Sequence, residues 1–256
     1  MTAARTGGRR LVFDSLDSTN AEAIRLRTDG ETGPVWITAA QQTAGRGRSG
    51  REWVSPIGNL FATYMFPFDG PQAKAPTLGF VAALAVYDTV AAFAPDKSTT
   101  LKWPNDVLLE ARKVSGILME GLGPNPDGTL AIAAGIGINL QTQPEPSKTR
   151  WPATSLLIET GAAPSAQECL DVLAAGFEHW LSRLAEKGTP AILAVWKERA
   201  AHLGQSVTIK TARGDCTGRF VDLDATGALV LETALGRETF AAGDVRLGEA
   251  HDAARH

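Results

Sequence analysis

Apolar residues in the first half of the chain fall into short runs with few helical segments between them, which indicates an α+β fold. The segment Ser18-Thr19-Asn20 consists of N-cap residue types and predicts a short helix. Because few helices separate the later runs, a mixed or antiparallel sheet is favoured over a doubly wound parallel one. The predicted strands are residues 10–13, 35–40, 60–66, 100–103, 107–109, 114–120 and 130–138, and residues 78–94 predict a buried helix.

The second half changes from helical spacing to period two. Ser165 and Glu168 have the spacing of a capping box, and apolar residues then recur at helical intervals as far as Leu184. Gly188 is expected to end this helix, and Thr189-Pro190 to begin a second one that runs through residues 196–203. After Gly204, short alternating runs at about ten-residue spacing predict a small barrel. We therefore expect two domains, residues 1–204 and 205–256.

Composition narrows the class of protein. The 256 residues carry a formal net charge of −3, and 44% are hydrophobic, as in ordinary globular proteins. The first ten residues lack the apolar core of a secretory signal. Gly79 and Asp88 interrupt the most apolar segment, which favours a buried helix over a membrane span. Cys169 and Cys216 form no CxxC pattern, so neither a zinc site nor a disulfide framework is implied. A cytoplasmic enzyme that binds no membrane is expected.

A nine-residue segment between two predicted strands concentrates positive charge on a flexible backbone. In GRGRSGREW, residues 45–53, Arg46, Arg48 and Arg51 are spaced by glycine and serine. Glycine permits close approach to a ligand, and guanidinium groups bind carboxylate or phosphate through two parallel hydrogen bonds. This arginine flap predicts a site for a small anion. The alternative is an RGG-like tract that grips nucleic acid, although the net charge of −3 lacks the basic excess typical of such proteins.

Three further segments contain candidate site residues. In KWPND, Pro104 favours an extended Trp103 and places Asn105 and Asp106 at a tight corner, which by itself is typical of an Asx turn. In RKVSGIL, Lys113 begins an apolar strand, and by itself is typical of a solvated strand end. The segment GIGIN, residues 135–139, lacks the spacing and following helix of a dinucleotide-binding motif.

Taken together and in this order, STN, GRGRSGREW, KWPND, KVSGIL and GIGINL resemble the biotin–protein ligases along nearly the whole chain. The resemblance implies a catalytic domain related to class II aminoacyl-tRNA synthetases and lipoate ligases, followed by an SH3-like barrel. It also implies a reaction in which biotin and MgATP form biotinyl-5′-AMP. The biotinyl group then passes to one lysine of a biotin carboxyl carrier domain.

The same resemblance assigns roles to individual residues. Lys113, Arg46 and Arg48 match the catalytic cations, and Arg51 belongs to the same flap. Asp106 matches a residue that contacts either the ureido head or the magnesium ion, and no tightly bound protein metal is implied. The biotin-site matches are Ser18, Thr19, Asn20, Gln42, Arg46, Gly47, Arg48, Lys113 and Gly116. The adenylate-site matches are Arg48, Arg51, Trp53, Asn105, Asp106 and Asn139, with the loop of residues 141–150 beside them.

Partners and rival functions follow from what surrounds these motifs. About ten residues precede the first predicted strand, too few for a DNA-binding module, so a monofunctional ligase without operator binding is expected. The family occurs as monomers and homodimers, and the sequence does not select between them. The ending GDVRLG, residues 243–248, departs from the family pattern near G-E/D-V-S-L-R, which leaves any nucleotide contact there open.

Two other functions compete with a biotin–protein ligase. One is a lipoate or octanoate ligase on the same fold, and the other is a non-catalytic module that binds RNA or protein.

Overall fold

The computed structural model describes residues 8–145, 151–211 and 214–247. A seven-stranded mixed sheet forms its centre, in the order β1-β2-β3-β7-β6-β5-β4. β1 and β2 are parallel, and every other neighbouring pair in this sheet is antiparallel. The strands are β1 (Arg9–Leu16), β2 (Val35–Gln42), β3 (Leu60–Phe68), β4 (Thr99–Lys102), β5 (Asp106–Leu109), β6 (Arg112–Pro124) and β7 (Leu130–Ile138). The predicted mixed sheet is confirmed.

The two faces of this sheet have different side chains because residues alternate along each strand. On one face, Tyr64 and Phe66 of β3 and Ile136 of β7 join the main apolar core. On the other face, β7 presents small residues, including Gly135 and Gly137, beside a smaller apolar cluster that contains Ala133. Small side chains leave room above the sheet on this second face.

Two long helices cover the first face. α2 (Thr77–Phe93) packs against α4 (Ala166–Glu198), and a cluster of Trp36, Tyr64, Phe66 and Phe177 rings fills the space between helix and sheet. Within the described residues, Gln72–Phe93 is the single helical segment apolar and long enough to span a membrane. An 18-residue window of it has mean hydropathy 1.5, and 61% of that window is buried inside the protein. This burial agrees with the predicted core helix.

The helix ends follow local sequence signals. Ser18 caps α1 (Thr19–Thr28), and its hydroxyl accepts a hydrogen bond from the backbone of Ala21. Ser165 and Glu168 form the predicted capping box of α4. Gly188 interrupts α4 with a φ of 73°, so the predicted break between two helical segments is confirmed. The second segment ends at Glu198, earlier than predicted, because the Arg199 carbonyl and the Ala201 N–H instead hydrogen-bond to the backbone of Leu101 in β4.

The C-terminal residues form a separate five-stranded antiparallel sheet in the order β11-β10-β9-β8-β12, which fits an SH3-like fold. Its strands are β8 (Ser206–Thr211), β9 (Gly214–Leu223), β10 (Leu229–Thr233), β11 (Gly236–Phe240) and β12 (Asp244–Leu247). Buried Val207, Ile209 and Phe220 join the main core, and the Trp103 indole donates to the Gly227 carbonyl at 3.1 Å. This sheet therefore packs directly beside the KWPND corner. Residues 146–150 of the predicted adenylate-side loop and Gly248 of the C-terminal ending lie outside the described residues.

Candidate active site

A cavity of about 330 Å³ opens above the face of the large sheet that carries small residues. It lies between the start of α1, the arginine flap, the KWPND corner and β12. Every residue that the sequence assigned to biotin or adenylate lines this one cavity: Ser18, Thr19, Asn20, Gln42, Arg46, Gly47, Arg48, Arg51, Trp53, Asn105, Asp106, Lys113, Gly116 and Asn139. The motifs are distant in sequence, and the fold brings them together.

One end of the cavity is a neutral hydrogen-bonding network. The backbone N–H of Thr19 donates to Gln42 Oε1 at 2.8 Å, and Gln42 Nε2 donates to the Ser55 hydroxyl at 2.9 Å. Thr63 from β3 donates to Asn20 Oδ1 at 2.6 Å. Buried amides and hydroxyls whose orientations are fixed in this way can select a ligand by its pattern of donors and acceptors.

Glycines form the floor of the cavity. A Cβ atom built on Gly135 would lie 2.0 Å from Asn20 Oδ1, and one on Gly137 would lie 2.4 Å from Trp53 Nε1. On the neighbouring strand, a Cβ atom on Gly116 would lie 2.8 Å from the Trp53 ring. Because any larger residue would collide with these groups, glycine at these positions creates the space that Asn20 and Trp53 occupy.

The arginine flap folds back on itself and over the cavity. Gly47 N–H donates to the Arg51 carbonyl at 2.7 Å, and Trp53 N–H donates to the Gly45 carbonyl at 2.9 Å. The turn between them has left-handed backbone at Ser49 (φ 57°) and Gly50 (φ 71°), which explains the glycine at the second position. The flap is therefore a short hairpin rather than an extended tract.

Each flap arginine bonds to a different part of the protein. Arg46 pairs with Glu120 of β6 at 2.8 Å, and Arg51 pairs with Asp244 of β12 at 2.9 Å. Arg48 donates to Asn105 Oδ1 at 3.0 Å, and burial lowers the pKa of its guanidinium. The flap thus joins the large sheet, the KWPND corner and the C-terminal sheet.

The opposite end of the cavity holds two lysines on one buried carboxylate. Lys113 Nζ lies 2.6 Å from Asp106 Oδ1, and Lys102 Nζ lies 3.7 Å from Asp106 Oδ2. Lys102 is 6% exposed, and burial lowers its pKa. Burial by itself raises the pKa of Asp106, but the charges of Lys113 and Lys102 outweigh burial, so the net shift is downward. The carboxylate is ionised at neutral pH, and the cluster carries net positive charge.

This charge cluster predicts a stability effect. We expect Asp106→Ala to lower the free energy of unfolding by about 2 kcal/mol, because buried Lys102 loses its counter-charge. Since the folded-state pKa of Asp106 lies below its ordinary 3.8, its contribution is present above that pH and is lost as the pH falls through the folded value. Urea unfolding at pH 7 and at a series of pH values below 3.8 measures both, with the exposed Asp14→Ala as the matched control. A loss below ~0.5 kcal/mol in Asp106→Ala would contradict the assignment.

Several residues that the sequence analysis missed also line or support the site. Lys102 lies in the KWPND segment, but the sequence analysis assigned it no role. Trp151 lines the cavity, and its ring centroid lies 4.8 Å from Lys102 Nζ. Asp244 and Arg246 bring the C-terminal sheet to the cavity wall, in the segment whose role the sequence left open. A signal for Lys102 existed, since it is four residues before Asp106 in KWPND.

Two of the predicted nucleotide residues have structural roles as well. Asn139 donates from Nδ2 to the Thr154 carbonyl at 2.9 Å and so positions the segment before α3 (Leu156–Thr160). Trp53 lies over the glycine floor, with Lys113 Nζ 5.2 Å from its ring centroid, and its buried indole N–H has no hydrogen-bond partner. Among the described residues, no group of three or more His, Cys, Asp or Glu side chains could hold a metal ion.

A neutral recognition network, an arginine flap and a lysine pair around one cavity on a mixed sheet define an acyl-activating ligase, which binds a carboxylic acid and neutralises a phosphorylated intermediate. Comparison with known proteins agrees. Residues 12–139 match the biotin/lipoate A/B protein ligase family, and residues 202–248 match the biotin protein ligase C-terminal domain. The chain belongs to the biotin protein ligase family.

Individual relatives cover nearly the whole chain. The biotin–[acetyl-CoA-carboxylase] ligase of Paracoccus denitrificans is 43% identical over 91% of this chain and 98% of its own length. The corresponding ligase of Mycobacterium tuberculosis is 32% identical over 96% of this chain and 91% of its own. The solved structure of biotin protein ligase from Aquifex aeolicus in complex with biotin and ATP superposes with a TM-score of 0.80. It shares 27% identity and covers 94% of this chain and 99% of that one.

Proposed function

We propose that this ligase joins biotin to a carrier protein in two steps within the single cavity. A carboxylate oxygen of biotin attacks the α-phosphorus of MgATP, and the bond to pyrophosphate breaks to leave biotinyl-5′-AMP. The amine of a carrier lysine then attacks the acyl carbon, and AMP leaves. The observation that carries the proposal is the meeting of all the predicted ligand residues around one cavity.

The two ends of the cavity fit the two ends of the vitamin. The amides and hydroxyls of Thr19, Asn20 and Gln42 offer neutral donors and acceptors for a ureido head. Lys113 and the flap arginines offer positive charge for the carboxylate and the α-phosphate. Between them, Gly116 and Gly137 leave room for the Trp53 ring, which offers an apolar wall to a small ring system.

The nucleotide lies, in this proposal, on the side of the cavity away from the neutral network. Trp53 and Asn139 line that side, together with Trp151. Arg48 and Arg51 approach it from the flap, and Asn105 holds Arg48 in place. Asp106 faces the same space and is the described carboxylate best placed to meet the magnesium ion that arrives with ATP.

The chemistry requires neutralised charge more than a proton acceptor. Negative charge spreads over the phosphoryl oxygens as pyrophosphate departs, so fixed cations lower the barrier when they are in place beforehand. Asp106 prevents Lys102 and Lys113 from repelling each other when the cavity is empty. Holding the carboxylate and the α-phosphate at contact distance supplies the remainder of the acceleration.

The flap predicts how well the enzyme retains its intermediate. We expect Arg48→Gly to form biotinyl-5′-AMP but to release it at least about tenfold faster, because the flap loses its bond to Asn105 and one phosphate ligand. Rapid gel filtration after a single turnover measures the retained fraction. Arg237→Gly, on the exposed C-terminal sheet, is the control. Equal retention by Arg48→Gly and the wild type would contradict the role of the flap.

We propose a catalytic domain of residues 1–204 and an SH3-like domain of residues 205–256. The two separate sheets support this division. The pair between Arg51 and Asp244 lets the second domain hold the flap of the first. A cytoplasmic location and a carboxylase carrier domain as the acceptor stay predictions.

The deciding experiment is the exchange of labelled pyrophosphate into ATP. Exchange that requires biotin, followed by transfer of labelled biotin to a purified carrier domain, is the expected result. Exchange that responds to lipoate or octanoate instead would assign the site to the other branch of the wider ligase family. Absence of exchange, together with salt-sensitive binding of RNA, would favour the non-catalytic module.

A further inference from the structure

Glu120 is an acidic residue that the mechanism above does not use. It lies on β6 two positions after Leu118 and four after Gly116, and its register partner on β7 is Ala133. Since alternate residues of a strand share a face, its side chain stands in the same row as the cavity floor, one step beyond the cavity. Its side chain is 27% exposed.

One oxygen of Glu120 accepts hydrogen bonds from two elements of the proposed biotin site, the start of α1 and the flap. Asn20 Nδ2 donates to Glu120 Oε2 at 2.7 Å, and Arg46 Nη2 donates to the same oxygen at 2.8 Å. Asn20 is buried at the start of α1, whereas Arg46 is at the root of the flap. A single carboxylate oxygen therefore connects the recognition network with the arginine flap.

The bond to Glu120 fixes the direction in which the Asn20 amide faces. Asn20 Nδ2 donates to Glu120 and also lies 3.4 Å from the Leu118 carbonyl, which together use its two hydrogens. Its Oδ1 accepts one hydrogen bond, from Thr63, and keeps a free lone pair. Asn20 therefore presents an acceptor, not a donor, to the ligand. That orientation suits an N–H of a ureido ring.

The second bond holds the flap down. The Arg46 side chain is 41% exposed, so its pair with Glu120 is weak by itself. Arg46 is, however, at the start of the nine-residue flap, where the flap leaves the large sheet. Breaking this pair removes one of the side-chain bonds that hold the flap. The bonds from Arg48 to Asn105 and from Arg51 to Asp244 stay in place. We propose that Glu120 is a positioning residue that couples flap closure to biotin recognition, an inference that rests on the proposed function.

Two variants separate the two bonds. Glu120→Gln keeps an oxygen that can accept from Asn20 but removes the charge that holds Arg46, whereas Glu120→Ala removes both. We expect Glu120→Gln to leave the KM for biotin within about twofold of wild type, and to release biotinyl-5′-AMP about fivefold faster. Glu120→Ala is expected to show the same faster release and, in addition, a KM for biotin raised about tenfold. If Glu120 only stabilised the fold, Glu120→Gln would change the KM for biotin and the release of biotinyl-5′-AMP together.

A double variant and a matched control test the coupling itself. Release from Arg46→Ala combined with Glu120→Gln should be no faster than from Arg46→Ala alone, because both changes break the same bond. Glu232→Gln, which breaks an exposed pair with Arg219 on the C-terminal sheet, should change neither quantity. The proposal would be overturned if the double variant released biotinyl-5′-AMP faster than Arg46→Ala alone. It would also be overturned if Glu120→Gln released the intermediate at the wild-type rate.

Limited trypsin digestion tests the flap without any ligand. Trypsin cuts after arginine, and the flap contains Arg46, Arg48 and Arg51. We expect cleavage within residues 45–53 of the empty protein to be about fivefold faster in Glu120→Gln than in wild type or Glu232→Gln. Equal cleavage would overturn the proposal even if biotin-dependent exchange is present. If Glu120→Gln is cleaved faster but the wild-type protein shows no biotin-dependent exchange, Glu120 does hold the flap and the proposed ligase function is wrong.

Discussion

Replacing Lys113 with alanine is expected to slow the formation of biotinyl-5′-AMP at least about a hundredfold, a loss of about 3 kcal/mol. Lys113 Nζ is held 2.6 Å from the buried Asp106 carboxylate and close to the Trp53 ring. A cation fixed in this way needs little rearrangement when charge develops on a phosphoryl group. In Lys113→Ala, Asp106 would also turn from a partner of this lysine into a negative charge facing the phosphate.

Single-turnover formation of the adenylate, at saturating biotin and ATP, measures this loss. Lys97→Ala removes an exposed lysine before β4 and should react at the wild-type rate. Thermal unfolding of both variants separates a catalytic loss from a folding defect. A Lys113→Ala enzyme with a near-normal single-turnover rate would remove this lysine from the catalytic set.

Adding one methyl group to the floor is expected to weaken biotin binding roughly a hundredfold, or about 3 kcal/mol. In Gly135→Ala the new Cβ would lie 2.0 Å from Asn20 Oδ1, a distance that forces the amide away from its place. Asn20 cannot move freely, because Glu120 and Thr63 both bind it. The methyl group therefore displaces the recognition network rather than a flexible side chain.

Calorimetric titration with biotin in the absence of ATP measures the effect directly. Gly121→Ala is the matched control, since a Cβ at that position on the neighbouring strand meets no atom within 4 Å. It should bind biotin like the wild type. If Gly135→Ala and Gly121→Ala bind biotin equally, the Asn20 amide takes no part in biotin recognition.

The strands and helices that position the site follow closely from apolar periodicity. Residues 130–138 were predicted as a strand with the bounds that β7 shows, because alternating apolar and small residues between turns leave little freedom. β6 extends to Pro124, beyond its predicted end at Glu120, because pairing with β7 continues where the hydrophobic pattern stops. The end of β6 is decided by its pairing with β7, and a local sequence pattern contains no information on that pairing.

The site residues also fall into those that the sequence could assign and those that it could not. Arg46, Lys113 and Asn105 could be assigned because they belong to motifs, and the structure places all three on the cavity. Glu120 could not, because it lies outside these motifs and a charged residue at a strand end is usually solvated. The missing information was the register: counting by two from Gly116 along β6 reaches Glu120 on the same face.

The glycines at Gly116, Gly135 and Gly137 limit how substitutions can change the substrate range of this enzyme. Side chains there are already at their smallest, so no substitution can deepen the pocket for a bulkier acid. Variation must act on the rim, where Leu118, on the same face of β6 as Gly116, offers atoms that can be trimmed. Engineering toward enlarged biotin analogues should therefore begin with that side chain and leave the glycines untouched.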